Sequence, residues 1–565
     1  MIKPILPALI FILGAIPIPF LKGKLKQFYL LLVPVLALID LYSLGVGTQW
    51  GIPFLGYELI FLKVDRLSLI IGYIFVLIGF LALLYSLHVK EDLQHIAAFL
   101  YMASSLGVVF SGDYFSLFVF WEIMAVTSVF LVWSQREKAS LDAGFRYLLM
   151  HILGGCCLLT GIIIQVIETG TVALTPPMNG WASLLILIGF GLNTAFIPLH
   201  TWLPDAYPEG TVVGSVFLSV FTTKTGVYTL ARCFSGNEIL AYMGGIMAIY
   251  GVIFALLQND IRRLISYHIV SQVGYMVAGV GVGTELGVNG GIAHVFNHIL
   301  YKALLFMCTG SILYMSGKRK LTELGGLARM MPVTCITCVI ASLSISGVPG
   351  FNGFVSKGMV IGSATESQKP FLELMLTLAS VGTFLSFTKL CYFTFFKRND
   401  EIKAKESPLN MQVAMILTAS LCILFGVFPQ ILFHVLPYTP VGYHPYTFFH
   451  VIGVAQLFLV AGFVFFKARS AFSPHPWIIL DFDYLYRKAF QAIAWFCRKP
   501  LNDFRLSIQA LFSKAVGYIA SLSRNPFSPK GGDYNENIYR NPMGLGVLLA
   551  ILFLFLYGLI YLVRL

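Results

Sequence analysis

Long apolar runs separated by short polar loops fill most of this 565-residue chain. A run of about 18–25 apolar residues has the length that a membrane-spanning helix needs. Only 11% of the residues are charged and 58% are hydrophobic, whereas soluble proteins carry about 25% charged residues. The chain is therefore predicted to be an all-α polytopic membrane protein. Its sixteen predicted spans, numbered 1 to 16 in chain order, are 4–20, 28–46, 65–87, 94–111, 114–133, 141–167, 181–203, 210–233, 239–258, 262–282, 287–315, 330–363 (broken), 371–396, 411–436, 447–467 and 543–563.

Basic residues indicate how the spans are oriented. The net charge of +12 does not indicate nucleic-acid binding, because most of the positive charge lies in short loops and in one C-terminal stretch. The loops after odd-numbered spans hold 18 Lys and Arg up to Arg469, and the other side, counted to the last residue, holds 6. The positive-inside rule makes the first side cytoplasmic and places both termini outside. The predicted location is a prokaryotic plasma (inner) membrane.

Two segments outside the spans have patterns of their own. Residues 47–63 mix polar and apolar positions and predict a short hairpin on the membrane surface. Residues 477–525 repeat apolar positions every three or four residues, with basic residues between them. This pattern predicts an amphipathic helix pair on the cytoplasmic face, interrupted at Pro500 and followed by a polar linker at 526–541. From the residues alone, the pair either rests on lipid or braces a neighbouring subunit.

A weak internal repeat divides the chain. A broken span followed by a span with Thr223-Lys224 occurs once, and a second broken span is followed by a span with Thr388-Lys389. Each pair ends a block of five spans, and an odd number of spans inverts the second block relative to the first. The predicted division is 1–93 (spans 1–3), 94–234 (first repeat, spans 4–8), 238–397 (second repeat, spans 9–13), 411–467 (spans 14–15), 470–530 (amphipathic lateral segment) and 543–563 (last span).

Prolines and glycines interrupt spans 7 and 12. Span 7 contains Pro198 and is followed directly by Pro204, and span 12 contains Pro349 and Gly350. A proline inside a helix frees backbone groups, and a membrane tolerates such groups only inside protein or beside a water-filled cavity. Broken helices of this kind are typical of transporters.

Two charged residues lie in the middle of apolar spans. Lys224 lies mid-span, where a lysine costs about 2.5–3.5 kcal/mol on insertion scales, so we expect it to line an interior ion path. Glu122 lies mid-span in span 5. It is either a carboxyl hydrogen-bonded for structure or a proton or cation site, and the second interpretation is favoured.

Span 11 carries a stripe of titratable side chains. His294, His298 and Lys302 are spaced by four residues and therefore share one helix face. Their spacing predicts a proton or water wire. A metal site at the two histidines would need a third ligand, and none is evident, so no metal is predicted.

Three further residues are candidates for the same path. Lys357 follows the break in span 12 and is predicted to be a terminal proton site, although it could instead extend outward from its half-helix. Lys389 matches Lys224 in the repeat but also lies close to the cytoplasmic end of span 13. His268 in span 10 is a candidate relay residue.

Several motifs resemble one known family. FIPLHTWLPDAYP, TTKTGVYTL, AHVFNHILYKALLFMCTGSIL and GVPGFNGFVSK resemble the antiporter-like subunits shared by respiratory complex I and the Mrp-type multisubunit sodium/proton antiporters, with the closest likeness to the Mrp D-type group. The resemblance implies a fourteen-helix core with two inverted five-helix repeats and a buried chain of charged residues. The family's helix-5 glutamate, helix-8 lysine and helix-12 lysine or acid correspond to Glu122, Lys224 and Lys357, and its helix-11 residues correspond to His294, His298 and Lys302.

One position departs from the family pattern. The family usually has a lysine in broken helix 7 that pairs with the helix-5 glutamate, and this chain has Asn193 there. Glu122 is thus expected to be protonated, to use Lys224 or water, or to bind a cation such as sodium.

The predicted function is proton, or cation/proton, translocation within a multisubunit membrane complex, with H⁺ and also Na⁺ as candidate coupled ions. The sequence has no nucleotide loop, no cysteine set for an iron–sulfur cluster and no flavin motif, so no cofactor is predicted and redox chemistry would belong to another subunit. The alternatives are Mrp-type Na⁺/H⁺ exchange without redox, an energising channel for a soluble partner enzyme that captures inorganic carbon, and a quinone-binding oxidoreductase subunit.

Overall fold

A computed structural model describes residues 5–399, 401–475, 479–524 and 542–563. The chain divides into two compact units, Met1–Ile479 and Leu480–Leu565. The helices are α1 (Pro7–Ala15), α2 (Gly23–Ser43), α3 (Arg66–Ser86), α4 (Asp92–Phe110), α5 (Tyr114–Trp133), α6 (Lys138–Thr169), α7 (Trp181–Asn193), α8 (Trp202–Ala206), α9 (Val212–Leu218), α10 (Thr222–Cys233), α11 (Glu238–Leu257), α12 (Ile261–Val282), α13 (Glu285–Ser316), α14 (Pro332–Ser346), α15 (Asn352–Glu366), α16 (Pro370–Cys391), α17 (Leu409–Val427), α18 (Gln430–Phe433), α19 (Phe448–Lys467), α20 (Asp483–Phe496), α21 (Asn502–Arg524) and α22 (Pro542–Val563).

Eleven helices in the described ranges are long and apolar enough to cross a membrane. They correspond to predicted spans 2–6, 9–11 and 13–15. Predicted spans 1, 7, 8 and 12 fall on shorter or broken helices, and span 16 falls on the 22-residue helix α22. The exact number of crossings stays a prediction. Prolines explain two of the shorter helices, because Pro17 and Pro19 end the α-helical part of span 1 and Pro429 separates α17 from α18.

The predicted hairpin is confirmed. Strand β1 (Gln49–Phe54) pairs antiparallel with β2 (Tyr57–Lys63). The two turn residues, Leu55 and Gly56, have φ angles of 47° and 82°. Two consecutive positive φ values are typical of the tight turn whose twist matches a hairpin.

Helix α13 lies at the centre of the first unit. Every residue from Gly287 to Ile312 is buried, and the helix packs against α3, α9, α10, α12, α14, α15 and α17. A helix enclosed on all sides can hold polar side chains away from lipid.

The two predicted five-helix blocks have matching third helices. Both α6 and α13 contain 32 residues, and both end at a left-handed glycine, Gly170 and Gly317. The aspartate that caps the preceding helix bridges to the backbone four residues beyond each third helix, as Asp113 does to Ala173 and Asp260 to Lys320. These features agree with a repeat, while the domain boundaries themselves stay a prediction.

The structure breaks span 8, which the sequence predicted as continuous over 210–233. Helix α9 ends at Leu218, and α10 begins at Thr222. No proline or glycine lies between them. Instead, the ammonium of Lys224 donates to the carbonyl oxygen of Ser219, and the hydroxyl of Tyr101 accepts from the backbone N–H of Thr222 at 3.0 Å. Side chains thus satisfy the freed backbone groups.

The second unit contains one long helical segment and α22. Helices α20 and α21 are joined at Cys497–Leu501 by a π-helical turn that contains Pro500. The predicted interruption of the helix pair at Pro500 thus takes the form of this turn, whose wider hydrogen-bonding pattern accommodates the missing N–H. Trp477 and the linker at 526–541 lie outside the described residues.

Candidate functional site

Helix α13 places the three predicted residues of span 11 in the buried centre of the first unit. His294 is hydrogen-bonded through Nδ1 to the Ser356 hydroxyl at 2.9 Å and through Nε2 to the side-chain oxygen of Gln272 at 3.3 Å. The Tyr301 hydroxyl lies 3.2 Å from Nε2. His294 is therefore fixed in a polar network.

His298 lies one turn further along α13, between two lysines. Its side chain is fully buried, and neither ring nitrogen has a hydrogen-bond partner among the described residues. The charges of Lys224 and Lys302 both act on it. A buried imidazole with unused nitrogens beside two cations is suited to accept and release a proton.

Lys302 and His268 lie against the same aromatic ring. The Lys302 ammonium donates to the carbonyl of Ile265 at 3.1 Å and lies 5.7 Å from the centre of the Phe387 ring. The His268 ring is 4.6 Å from Phe387. The charges of Lys302 and Lys357 act on His268, so α12 adds a titratable group to the cluster on α13.

Lys224 and Lys357 each lie beside a break between helices. Lys224 donates to Ser219 at the end of α9 and to the hydroxyl of Thr223 at 3.0 Å. Lys357 donates to the carbonyl of Ser346, the last residue of α14, at 3.4 Å. Its ammonium also lies 4.8 Å from the centre of the Tyr275 ring.

These lysines share one kind of partner. Lys224, Lys302 and Lys357 donate to main-chain carbonyls, and within the described residues none of them forms an ion pair with a carboxylate. A carbonyl accepts a hydrogen bond from both the charged and the neutral amine, and it lacks the full negative charge of a carboxylate. The hydrogen bonds therefore do not fix the lysines in their charged form.

Lys389 lies apart from this cluster. Its ammonium donates to the carbonyls of Leu256 at 2.6 Å and Gln258 at 3.1 Å. These carbonyls are at the C-terminal end of α11, where a cation stabilises a helix. The contacts favour a capping role, and its membership of the path stays a prediction.

Glu122 also lies apart from the lysines. Its carboxylate packs on Gly155 of α6, where an added Cβ would lie 2.0 Å from Oε1. Oε1 is buried and has no hydrogen-bond partner in the described part of the chain. Lys224 is not its ion-pair partner, so one of the predicted alternatives for Glu122 is not what the structure shows.

Asn193 has a partner that the sequence analysis missed. Its side-chain oxygen lies 2.8 Å from Nδ1 of His151 on α6. The His151 ring packs between Tyr147 at 4.2 Å and Trp202 at 4.6 Å. The sequence did contain a signal, because His151 opens a His-Ile-Leu tripeptide that recurs at His298.

Other polar groups of the site were also missed. Gln272 lies one turn from His268 on the same face of α12. Ser356 directly precedes Lys357, and Tyr301 directly precedes Lys302. A search for polar stripes at four-residue spacing would have found Gln272.

A cavity of about 600 Å³ opens beside Lys357. Its lining includes Ser380, Tyr443 and His450. The space exists because Gly358 faces it, where an added Cβ would lie 2.3 Å from the Tyr443 hydroxyl and 3.2 Å from Nε2 of His450. His450 is hydrogen-bonded through Nδ1 to the carbonyl of Pro445 at 2.8 Å, which leaves Nε2 as the acceptor.

A second, more charged cavity lies among the loops that carry the basic residues. Its volume is about 430 Å³, and it is lined in part by Asp205, Gln258 and Asp260. Arg319 lies beside it and pairs with Glu209 and Asp260, each at 2.8 Å. The proline-rich stretch that follows span 7 thus borders one cavity, as broken span 12 borders the other. Within the described ranges, no three His, Cys, Asp or Glu side chains group as metal ligands.

Comparison with known proteins identifies the class. Residues 111–386 match the model of the family described as NADH:quinone oxidoreductase/Mrp antiporter, TM. The chain is 31% identical over 353 residues to an uncharacterised protein of Methanocaldococcus jannaschii, covering 58% of this chain and 73% of that protein. The chain belongs to this family. The matched range contains the whole predicted path except Lys389.

Characterised relatives define the kind of subunit. Identity is 30% over 489 residues to one subunit of the Na⁺/H⁺ antiporter of Alkalihalophilus pseudofirmus, covering 74% of this chain and 60% of that one. The chain is 28% identical over 418 residues to hydrogenase-4 component B of Escherichia coli, and the match covers 65% of this chain and 62% of that protein. The chain thus spans about three fifths of the length of these relatives. It is an antiporter-like membrane subunit, and the finer likeness to D-type Mrp subunits stays a prediction.

Three solved structures share the fold. The membrane-bound sulfane sulfur reductase, an archaeal respiratory membrane complex, matches with a TM-score of 0.71 at 24% identity, covering 98% of this chain and 99% of that one. A chain of respiratory complex I from Thermus thermophilus matches with a TM-score of 0.69 at 21% identity. The match covers 80% of this chain and 99% of that one. A chain of the Mrp complex from Dietzia sp. matches with a TM-score of 0.66 at 20% identity. The match covers 81% of this chain and 94% of that one. The expected antiporter-like fold is confirmed.

Proposed function

We propose that this chain moves protons through the membrane as one subunit of a larger complex. The observation that carries the proposal is the set of buried lysines and histidines in which the lysines donate to carbonyls and have no carboxylate partner in the described structure. A fixed counter-charge would hold each lysine charged, whereas a carbonyl lets the proton leave.

The path runs from Lys224 through His298 and Lys302 to Lys357. The charges of Lys224 and Lys302 act on His298, and the charge of Lys357 acts on Lys302. His268 and His294 lie beside it, where each is within the field of Lys357. Because like charges repel in a low-dielectric interior, a proton on one group favours release from the next.

Two cavities are proposed as the entry and the exit of the path. The charged cavity beside Asp205 and Gln258 lies among the loops predicted to be cytoplasmic, and the Gln258 carbonyl also accepts from Lys389. The cavity beside Lys357 lies against the start of α19, on the side predicted to be external. Protons would enter at the first cavity and leave at the second, or move in the reverse direction.

Sided proton flux tests this proposal. The complex that contains the full chain would be purified and reconstituted in vesicles with an internal pH dye, and a potassium diffusion potential would drive flux. Lys302→Ala should lower flux about 100-fold, the size typical of losing a proton-transfer group. Lys369→Ala is the matched control, because Lys369 pairs with Glu238 at the surface end of α16. Normal flux in Lys302→Ala would refute the buried path.

Exchange of Na⁺ for H⁺ is a second candidate. The observation that favours it is the Oε1 atom of Glu122, a buried carboxylate oxygen with no hydrogen-bond partner among the described residues. An oxygen of this kind can bind either a proton or a hard cation. Proton flux that requires Na⁺ on the opposite side, and that loses this requirement in Glu122→Gln, would support exchange. Flux independent of Na⁺ would refute it.

Partner subunits are proposed to contact the lateral segment at 477–525. Within its described part, the apolar side chains of α20 and α21 are exposed, for example Phe490, Phe504 and Phe512, and an exposed apolar face of this length requires lipid or protein cover. Mild-detergent purification of the tagged chain tests this. Recovery of redox subunits would indicate a redox-driven pump, recovery of small antiporter subunits would indicate exchange, and recovery of a soluble enzyme would indicate an energising channel. Recovery of the chain without any partner would refute the proposal that residues 477–525 contact a neighbouring subunit.

A further inference from the structure

The first five-helix block contains a histidine in the position that His298 occupies in the second. His151 is the fourteenth residue of α6, counted from Lys138, and His298 is the fourteenth residue of α13, counted from Glu285. The two helices have the same length and the same glycine end, and each histidine begins a His-Ile-Leu tripeptide. Four residues later, Gly155 stands where the second block has Lys302.

The missing lysine is replaced in space by another ionisable group. In the first block, the carboxylate of Glu122 occupies the surface of Gly155, since an added Cβ there would lie 2.0 Å from Oε1. His151 and Gly155 are four residues apart and share one face of α6. The second block thus pairs a histidine with a basic group, His298 with Lys302. The first block pairs a histidine with an acidic group, His151 with Glu122.

Three polar atoms in this region have no hydrogen-bond partner among the described residues. They are Nε2 of His151, Nδ2 of Asn193 and Oε1 of Glu122. His151 and Asn193 are each about 1% exposed. A buried polar atom without a partner costs about 1–3 kcal/mol, so three of them in one region indicate a site that binds something.

We propose that His151, Asn193 and Glu122 form a proton-binding site in the first block, in which His151 takes up the proton at Nε2. This inference rests on the proposed function. Nδ1 of His151 faces the side-chain oxygen of Asn193 at 2.8 Å, so the ring hydrogen lies on Nδ1 and Nε2 is the basic nitrogen. Asn193 therefore acts as a positioning residue that fixes the ring and its tautomer.

Hydroxyl groups lie between this site and the start of α10, the helix that carries Lys224. The His151 ring packs 4.2 Å from Tyr147, whose hydroxyl lies 2.7 Å from Ser128 and 3.5 Å from Thr222. Thr222 begins α10, two residues before Lys224. The groups that contact His151 are Tyr147 on its own helix and the neutral side chains of Asn193 and Trp202. The carboxylate of Glu122 lies against Gly155, one turn further along the same helix.

The test compares two buried histidines in reconstituted vesicles of the whole complex. His151→Gln keeps a donor for Asn193 but cannot take up a proton, and we expect it to lower flux about tenfold or more and to remove the acid limb of the pH profile. The matched control is His95→Gln, since His95 is equally buried but bonds to the carbonyl of Val89 near a helix end. The control should keep both the flux and the profile.

The outcomes separate this inference from the proposed function. Normal flux and profile in His151→Gln, together with lost flux in Lys302→Ala, would overturn the site and leave the second-block path intact. Normal flux in Lys302→Ala would instead overturn the path itself. If His151→Gln does not assemble, Asn193→Ala and Glu122→Gln decide the question: a shifted pH profile in either supports the site, and an unchanged profile in both overturns it.

Discussion

The ammonium of Lys224 donates to the carbonyl oxygen of Ser219, which lies at the break between α9 and α10. In an unbroken helix this carbonyl would accept from the backbone N–H of Thr223. The lysine therefore takes the place of a backbone donor, and the same contact recurs between Lys357 and Ser346 at the break between α14 and α15. Each lysine is held at the point where its helix is interrupted.

Substitutions of Lys224 separate holding the helix from moving the proton. Arginine can keep both the hydrogen bond and the charge, but it does not release its proton in proteins. Lys224→Arg should therefore assemble normally and lose about 100-fold in proton flux. Lys224→Met should lose the same flux and also about 1–3 kcal/mol of stability, because the Ser219 carbonyl is left without its partner. Thermal melting and vesicle flux measure the two effects, and normal flux in the arginine variant would contradict the prediction.

Substitution of Gly155 tests whether Glu122 is tightly packed against α6. A methyl group at this position would collide with Oε1 of Glu122, and overpacking of this kind costs about 1–3 kcal/mol. We expect Gly155→Ala to lower the melting temperature and to reduce flux. Gly462→Ala is the control, since the nearest atom to an added Cβ at Gly462 is 3.8 Å away, an ordinary van der Waals contact. Equal melting temperatures for the two variants would show that Glu122 can move aside without cost.

His450 tests the cavity beside Lys357. Its Nε2 faces Gly358, and its ring stacks on Phe354 at 4.5 Å. If protons leave Lys357 through this cavity, His450→Ala should slow flux about tenfold. His444→Ala is the control, because His444 lines the same cavity but is exposed. An unchanged rate in His450→Ala with loss of flux in Lys357→Ala would mean that protons leave by another route.

Asp65 predicts a dependence of stability on pH. It precedes α3 and accepts from Arg232 at 2.7 and 3.0 Å. Burial raises the pKa of Asp65, but the hydrogen bonds and charge of Arg232, with bonds from Ser68, outweigh burial and lower that pKa below its ordinary value. The pair thus stabilises the fold above about pH 4, the range of an unfolded aspartate, and loses this effect as pH falls through the lower folded pKa.

The measurement is the melting temperature of the wild type and of Asp65→Asn at several pH values. Their difference should be largest near neutral pH and shrink below about pH 4. A difference that stays constant down to about pH 2 would show that the Arg232 pair does not set the stability of this corner.

Sequence reasoning predicted the features that depend on local composition. The long spans, the hairpin at 47–63 and the broken stretches at Pro198 and Pro349 all follow from apolar length, turn residues or proline. The break after Leu218 could not be predicted in this way, since it depends on Tyr101 on α4 and on the Lys224 side chain. At Pro500 the sequence predicted an interruption between two helices, but it did not reveal that a π-helical turn would join them.

The candidate site was also predicted only in part, because some of its residues depend on contacts between helices that local composition does not show. Charged residues in apolar runs stand out one by one, so Lys224, His298, Lys302 and Lys357 were found. His151 was passed over because a single histidine in an apolar run does not stand out, and its importance depends on contacts with Asn193 and on its match to His298. Lys389 was chosen from the repeat, but its contacts with the end of α11 depend on packing that the sequence does not reveal.

The length of α6 and α13 has an electrical consequence. A helix of 32 residues is about 48 Å long, which exceeds the hydrocarbon core of about 30 Å. The fourteenth residue lies about 20 Å from the start of each helix, so His151 and His298 are near half depth. A full charge that crosses the membrane gains about 2.3 kcal/mol per 100 mV. A proton on either histidine therefore feels roughly half of the membrane voltage, or about 1 kcal/mol per 100 mV, and the occupancy of both positions will follow the voltage of the cell.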